Sequence, residues 1–276
     1  MDLTSLKTVK DLLQKYQIRP LKGLGQNFLV DEEVLDKIIG SAELKENDTV
    51  LEIGSGIGTL TLELAKKVKK VIAVEKDLKM CGILQDLLES QNVRNVEIIK
   101  GDILKINTKY YIPNTKYKIV ANLPYYITSP VIRKFLEIET PPLTMILMVQ
   151  KEVGRRVCAK PPDMSILAVS VQFYAQPEIL SFVSKKSFWP EPEIDSAIIK
   201  ITPTNSRRNV LRGLFFKIVK VGFLQPRKQL INNLSNGLKI NREQVKNWLL
   251  TNGVNPTQRA ETLTVEDWLN LVNTLK

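Results

Sequence analysis

Three acidic side chains sit at the ends of three successive β-prone runs. Glu52 precedes the glycine turn Gly54-x-Gly56-x-Gly58, Glu75 closes Val71-Ile72-Ala73-Val74, and Gly101-Asp102 closes Val96-Glu97-Ile98-Ile99. A fourth run, Lys118 to Ala121, ends in Asn122-Leu123-Pro124-Tyr125, with Tyr126 directly after it. Glycines between a strand and a helix let backbone approach a ligand closely. A carboxylate at a strand end can accept two ribose hydroxyl hydrogen bonds, and Glu75 stands there. Asp102 is placed to accept from an exocyclic amino group. Pro124 cannot donate a ladder hydrogen bond and pushes Leu123 out of helical space, so the chain turns. That turn displays a carboxamide and two aromatic rings, which suits a flat, hydrogen-bonding substrate such as a nucleobase.

Each feature alone has a plainer reading: a solvated strand-end charge, or an Asx-Pro turn with two packed tyrosines. Their coincidence is what argues for a ligand. Carboxylates at three strand ends suit a ribose–adenine ligand that carries positive charge, and suit pyrophosphate badly. S-adenosylmethionine, with its sulfonium and ammonium groups, fits. NAD is the alternative, but no pattern of hydride-handling residues follows.

The elements that must position these residues alternate. A helix capped by Asp31 runs to Ile39, Thr49 to Ile53 reads as a strand, and Thr59 to Lys67 as a helix. Leu78 to Ser90 and Ser129-Pro130 through Phe135 are helical, with proline expected at its favoured first position. Thr144 to Val149 is a further strand. This β-then-α order predicts a doubly wound, mostly parallel α/β sheet. From Val169 the pattern becomes strand-rich, with Val169 to Tyr174, Ile179 to Val183 and Ala197 to Ile201 expected as strands. Pro203 to Ser206 reads as a linker. Leu211, Leu214, Phe215 and Ile218 then open an amphipathic helix, followed by helices at Leu230 to Leu238, Arg242 to Thr251 and Val265 to Leu275. The expected domains are 1–203 and a small all-α domain, 204–276.

Charge follows the same division. The net charge is +11, and residues 204–276 carry +8 of it, from 12 Lys+Arg against 4 Asp+Glu. Seven basic residues and no acidic one lie between Arg207 and Lys228, which favours contact with a polyanion. There is no histidine. That excludes Ser-His-Asp and Cys-His catalysis and argues against a zinc site. Cys81 and Cys158 have no metal-ligand neighbours and read as buried thiols of a reducing compartment. With no signal-peptide pattern and no apolar run long enough for a bilayer, a cytoplasmic protein without membrane association is expected.

Six motifs in order now resemble the ribosomal RNA adenine N6,N6-dimethyltransferase family. They are Gly25-Gln26-Asn27-Phe28-Leu29, Glu52-x-Gly54-x-Gly56-x-Gly58, Glu75, Gly101-Asp102, Asn122-Leu123-Pro124-Tyr125 and Phe188-x-Pro190-x-Pro192-x-x-Asp195-Ser196. The resemblance runs from about Arg19 to Pro203 and extends into the tail, where Pro226 and Ile231 stand in place of expected basic residues. It implies a Rossmann-like class I S-adenosylmethionine-dependent domain carrying a basic helical rRNA-binding domain. It implies that Asn27 and Leu29 close over the cofactor, that Gly54 contacts its methionine part, and that Glu75 and Asp102 hold ribose and adenine. Gln26, Glu52, Gly56 and Ile103 join this cofactor set, and Asn122 lies where cofactor and target base meet. Leu123 or Pro124 would supply a backbone acceptor, with Tyr125 and Phe188 stacking on the two faces of an extruded adenine. Leucine at 123 and the basic tail are more similar to the small-subunit enzymes than to the large-subunit resistance methylases. The partners implied are 16S rRNA and the 30S subunit or its precursor, met by a monomer that needs no metal. The alternatives are a 23S rRNA adenine methylase and a non-enzymatic rRNA-binding assembly factor.

Overall fold

The computed structural model describes residues 1–21, 23, 25–112, 116–204 and 211–275. Its main sheet is built on β2 (Thr49–Ile53), β3 (Lys70–Glu75), β4 (Val96–Lys100), β5 (Lys118–Asn122) and β6 (Met145–Gln150). These five are parallel, in the order β4-β3-β2-β5-β6, and β9 (Ser196–Pro203) adds antiparallel to β6. β7 (Ala175–Val183) completes the sheet at its edge. The order reverses between β2 and β5, and in such sheets the crevice beyond the strand carboxyl ends at that reversal receives ligands. The residue chemistry explains the parallel core. Val50, Leu51, Val71, Ile72, Ile119 and Val120 are all 1% exposed or less, as strands covered on both faces require.

Helices lie between these strands. α2 (Glu32–Ser41) is capped by Asp31, whose Oδ1 accepts from the Val34 N–H at 3.2 Å, and α3 (Thr59–Ala65) follows the glycine turn. α4 (Leu78–Ser90) is capped by Asp77, and α5 (Thr128–Glu137) follows β5. Pro130 is the third residue of α5 rather than the first. It still costs no hydrogen bond, because the N–H groups of a first turn have no intrahelical acceptor. α1 (Leu6–Lys15) buries Val9, Leu12 and Leu13 beside Ile83, Leu84 and Leu87 of α4.

The chain forms two compact units: Met1–Gly154 with Glu178–Pro203, and Arg155–Pro177 with Thr204–Lys276. The division expected at residue 203 is therefore one of several crossings. The segment 155–177 starts within α6 (Lys151–Val157) and belongs with the tail because it holds α7 (Ile166–Tyr174), a helix where Val169 to Tyr174 reads as a strand. Ser165 caps it, accepting from the Ala168 N–H at 3.2 Å. Its Ala168, Val169 and Phe173 pack in one core with Phe215, Leu234, Leu249 and Trp268. That core joins α8 (Arg212–Gly222), α9 (Leu230–Leu238), α10 (Arg242–Thr251) and α11 (Val265–Thr274). From residue 205 the expected linker lies outside the described residues. Cys81 is buried and Cys158 half-buried. Among the described residues no helix is long and apolar enough to cross a membrane.

Candidate active site

A cleft of about 1130 Å³, counting its open mouth, lies at the carboxyl ends of β2 to β5. Its lining includes Gln26, Asn27, Leu29, Glu52, Gly54, Gly56, Glu75, Asp102, Ile103, Asn122, Leu123, Pro124, Tyr125 and Phe188. The residues singled out from sequence thus converge on one cavity.

The glycine turn gives the cleft its floor. Gly54 has φ +76°, and a Cβ there would stand 3.2 Å from Pro124 Cδ and 3.8 Å from Asn122 O. A Cβ on Gly58 (φ +94°) would stand 2.6 Å from Leu84 Cδ1. The absence of side chains therefore lets β2, β5 and α4 meet around the cavity. Gly54→Ala is expected to weaken cofactor binding roughly tenfold or more, because strain of about 1–2 kcal/mol adds to displacement of Pro124. Calorimetry with S-adenosylmethionine and its demethylated product checks this, and unchanged affinity for both would refute it.

The three acids differ in state. Glu52 is 1% exposed, and burial pushes its carboxyl up to about 8, against a smaller opposing pull from the Thr61 hydroxyl; nearby Glu75 adds to the rise. Its Oε2 has no hydrogen-bond partner. A buried polar atom left unpaired inside a cleft marks a place where a cationic or hydrogen-donating ligand would be stabilised. Glu75 is held by backbone: its Oε2 accepts from the Gly56 N–H at 2.9 Å, and its Oε1 accepts from the N–H groups of Lys76 and Asp77 at 2.7 and 2.8 Å. Asp102 Oδ1 accepts from the Leu104 N–H at 3.0 Å, and Lys76 Nζ lies 3.3 Å from its Oδ2. The Leu104 bond leads in holding its pKa below the usual carboxylate range.

Asn122 ends β5 opposite Met148 of β6, and the Leu123 N–H donates to Met148 O at 3.1 Å. Pro124 O accepts from the Ile127 N–H at 3.1 Å, which closes the turn expected after Asn122. Tyr125 is fixed through its hydroxyl, 2.8 Å from Ser196 Oγ, and burial raises its pKa. Tyr126 is 53% exposed.

The first and last motifs meet as a two-stranded ladder. β1 (Phe28–Leu29) pairs antiparallel with β8 (Phe188–Trp189), with Phe28 opposite Trp189 and Leu29 opposite Phe188. Ser187 Oγ donates to Asp31 Oδ2 at 2.7 Å beside it. Phe188 is only 3% exposed and packs with Leu29, Val183 and Ile198 while lining the cleft. Its ring is thus a core residue as well as a wall of the cavity. Gln26 ties the preceding lead-in to α4: its Oε1 accepts from the Leu21 N–H, and its Nε2 donates to Asp77 Oδ2, both at 2.8 Å. The Asn27 side chain donates to Gly25 O at 3.4 Å.

A second groove adjoins the cleft and shares Gly25, Gln26, Asn27, Tyr125 and Tyr126 with it. Its far side is formed by the loop Pro190 to Ile194. Sequence reasoning left out Thr61, Lys76 and the Ser196 contact to Tyr125. Lys76 and Ser196 each directly follow an acid that was singled out, but only the folded chain shows what they touch. Among the described residues no group of three or more Cys, Asp and Glu side chains is arranged to hold a metal ion.

Residues 19–276 match the family model described as ribosomal RNA adenine dimethylase. A ribosomal RNA small subunit methyltransferase A from Dehalococcoides mccartyi strain BAV1 is 43% identical over 265 residues, covering 95% of this chain and 90% of the relative. Among solved structures, a dimethyladenosine transferase from Plasmodium falciparum superposes with a TM-score of 0.75 at 28% identity, covering 87% of this chain and 94% of that one. The 23S rRNA methyltransferase ErmE superposes with a TM-score of 0.74 at 27% identity, covering 90% and 98%.

Proposed function

The chain belongs to the ribosomal RNA adenine dimethylase family, and from that premise we propose that it N6,N6-dimethylates two adjacent adenosines near the 3′ end of 16S rRNA. The substrate in this reading is the small ribosomal subunit or its precursor, met in the cytoplasm by a monomer. The observation that carries it is the shared wall: Asn122 and Tyr125 line the acid-bearing cleft, and Tyr125 and Tyr126 also line the groove beside it. One cavity suits a cofactor and the other an approaching base. The small-subunit assignment rests on the relative at 43% identity, since the two solved structures fit about equally well.

The residues fit S-adenosylmethionine on two counts, the unpaired Oε2 of buried Glu52 and the side-chain-free turn at Gly54. Glu75 would hold the ribose hydroxyls, Asp102 the adenine amino group, and Gly54, Gly56 and Glu52 the methionine end. Gln26, Asn27, Leu29 and Ile103 would cover the ligand. When bound, it supplies an electrophilic sulfonium methyl group.

The chain's own task is to make adenine N6 nucleophilic, since its lone pair is delocalised into the ring. Asn122 Oδ1 accepts one N6 hydrogen. The second goes to a backbone carbonyl, and Leu123 O is the better choice because Pro124 O already accepts from Ile127. Both bonds would favour a pyramidal nitrogen with its lone pair free to attack. Tyr125 stacks on the base, with Phe188 as the opposing wall. The proton on N6 leaves to water after transfer, so positioning and electrostatics supply the rate and no imidazole is needed.

The test is tritiated-methyl transfer to small subunits from a strain lacking this modification, with primer extension on both large rRNAs. Transfer confined to adjacent adenosines of 16S rRNA is expected. Label in 23S rRNA instead would move the assignment to the resistance-type methylase, and no transfer at all would favour an assembly factor.

A further inference from the structure

The segment after β4 carries a feature that the methyl-transfer reading does not use. Tyr110 is 82% exposed and Tyr111 40%, while nearby Tyr117 is 2% exposed and donates its hydroxyl to Thr140 O at 3.2 Å. Tyr110 stands largely in water and Tyr111 is part exposed, where the same stretch buries a third ring. Lysines stand at 105, 109, 116 and 118 with no acidic residue between them. Lys118 is spoken for, its ammonium held by Ala42 O, Glu43 O and Asp48 Oδ2. Lys105 and Lys116 are exposed.

The backbone under the tyrosines is fixed. Lys134 Nζ donates to Ile103 O at 2.6 Å and Ile106 O at 2.9 Å, anchoring the start of the segment to α5. The N–H groups of Tyr111 and Ile112 both donate to Thr108 O, at 3.1 and 2.8 Å. The rings therefore stand on a folded turn rather than a loose loop. This turn lies on the crossover between the carboxyl end of β4 and Lys118, which opens β5.

We propose that Tyr110 and Tyr111 form a stacking platform for an unpaired nucleotide of the rRNA substrate, with Lys105 and Lys116 against its phosphates. Aromatic faces interleaved with lysines match single-stranded nucleic acid, because every base presents a π-face and every linkage a negative charge. The proposal rests on the rRNA substrate argued above and extends it to a second contact on the catalytic unit.

The test is the double variant Tyr110→Ala/Tyr111→Ala beside Tyr110→Phe/Tyr111→Phe, which keeps both rings. Each is assayed for methyl transfer to unmodified small subunits and for gel-shift binding to protein-free 16S rRNA, with circular dichroism to confirm folding. The alanine pair is expected to raise KM and the RNA dissociation constant roughly tenfold. Its kcat and cofactor affinity should stay within about twofold, and the phenylalanine pair should behave as wild type. Unchanged KM and RNA affinity in the folded alanine pair would overturn the proposal. So would a defect seen only with intact subunits, which would make the tyrosines a ribosomal-protein contact. The gel-shift arm does not depend on catalysis, so wild-type protein that binds rRNA through these rings but transfers no methyl group would sink the enzymatic reading and leave the platform standing.

Discussion

Asn122→Ala is expected to lower kcat for methyl transfer by about 10²–10³-fold, the range seen when one positioned acceptor or donor is removed from a reacting centre. Cofactor affinity should change by no more than a few-fold, because Glu52, Glu75 and Asp102 remain in place around the rest of the cleft. Asn122→Asp keeps an oxygen at the same position and should retain more activity than alanine. This ordering separates hydrogen-bond acceptance from mere packing, since alanine removes the acceptor and aspartate does not. Tritiated-methyl transfer under saturating cofactor, paired with calorimetric cofactor binding, gives both numbers. Equal rates for wild type and the alanine variant would end the mechanism proposed for this residue.

The second large effect is a pH-dependent one at Glu52. Its folded pKa is raised to about 8 by burial, above the ordinary 4.5. Between those values the folded protein holds a proton that the unfolded chain has lost. The stability linked to this group is fully present below about pH 4.5 and falls as pH rises toward 8. A carboxamide cannot ionise, so Glu52→Gln should differ little from wild type near pH 5 and be more stable near pH 8. The gap is on the order of 4 kcal/mol if the carboxylate finds no partner. Urea midpoints at the two pH values check this, and a gap that is the same at both would refute it. A cationic ligand beside Glu52 reverses the balance by stabilising the carboxylate. Uptake of S-adenosylmethionine near pH 7 should then release protons, visible as a binding enthalpy that varies with the buffer's ionisation enthalpy in wild type and not in Glu52→Gln.

The acids at the strand ends were legible from the sequence because a parallel sheet forces successive carboxyl ends to one edge. Once Val71 to Val74 reads as a buried strand and Val96 to Ile99 as the next strand, Glu75 and Asp102 have to fall near the glycine turn. The run from Val169 to Tyr174 was not legible. Val169-Ser170-Val171-Gln172-Phe173 alternates apolar and polar residues, the period of a half-buried strand, and packing against the tail core overrides that local signal. Ser165, three residues before Ala168, was the available helix-start signal. The consequence went beyond one element, since that helix draws the whole segment 155–177 into the second unit. Two-residue strands such as Phe28–Leu29 and Phe188–Trp189 carry no local signature at all. Their pairing is set by the surrounding fold, as is the burial that makes Phe188 both a core and a cavity residue.

That small ladder also bears on when the cleft comes into being as the chain is made. Ser187 and Asp31, which bond beside it, are 156 residues apart in sequence. Closing so long a loop is entropically slow, and β9, which must add to β6, is later still. A nascent chain that ends before Phe188 already holds every strand-end acid yet has nothing for β1 to pair with. Such a chain can assemble β2 to β6 and tie Gln26 to Asp77, yet it lacks the strand that pairs with Phe28 and Leu29. On the role proposed for Asn27 and Leu29, the cover over a methyl donor is completed late, after most of the catalytic unit has been synthesised.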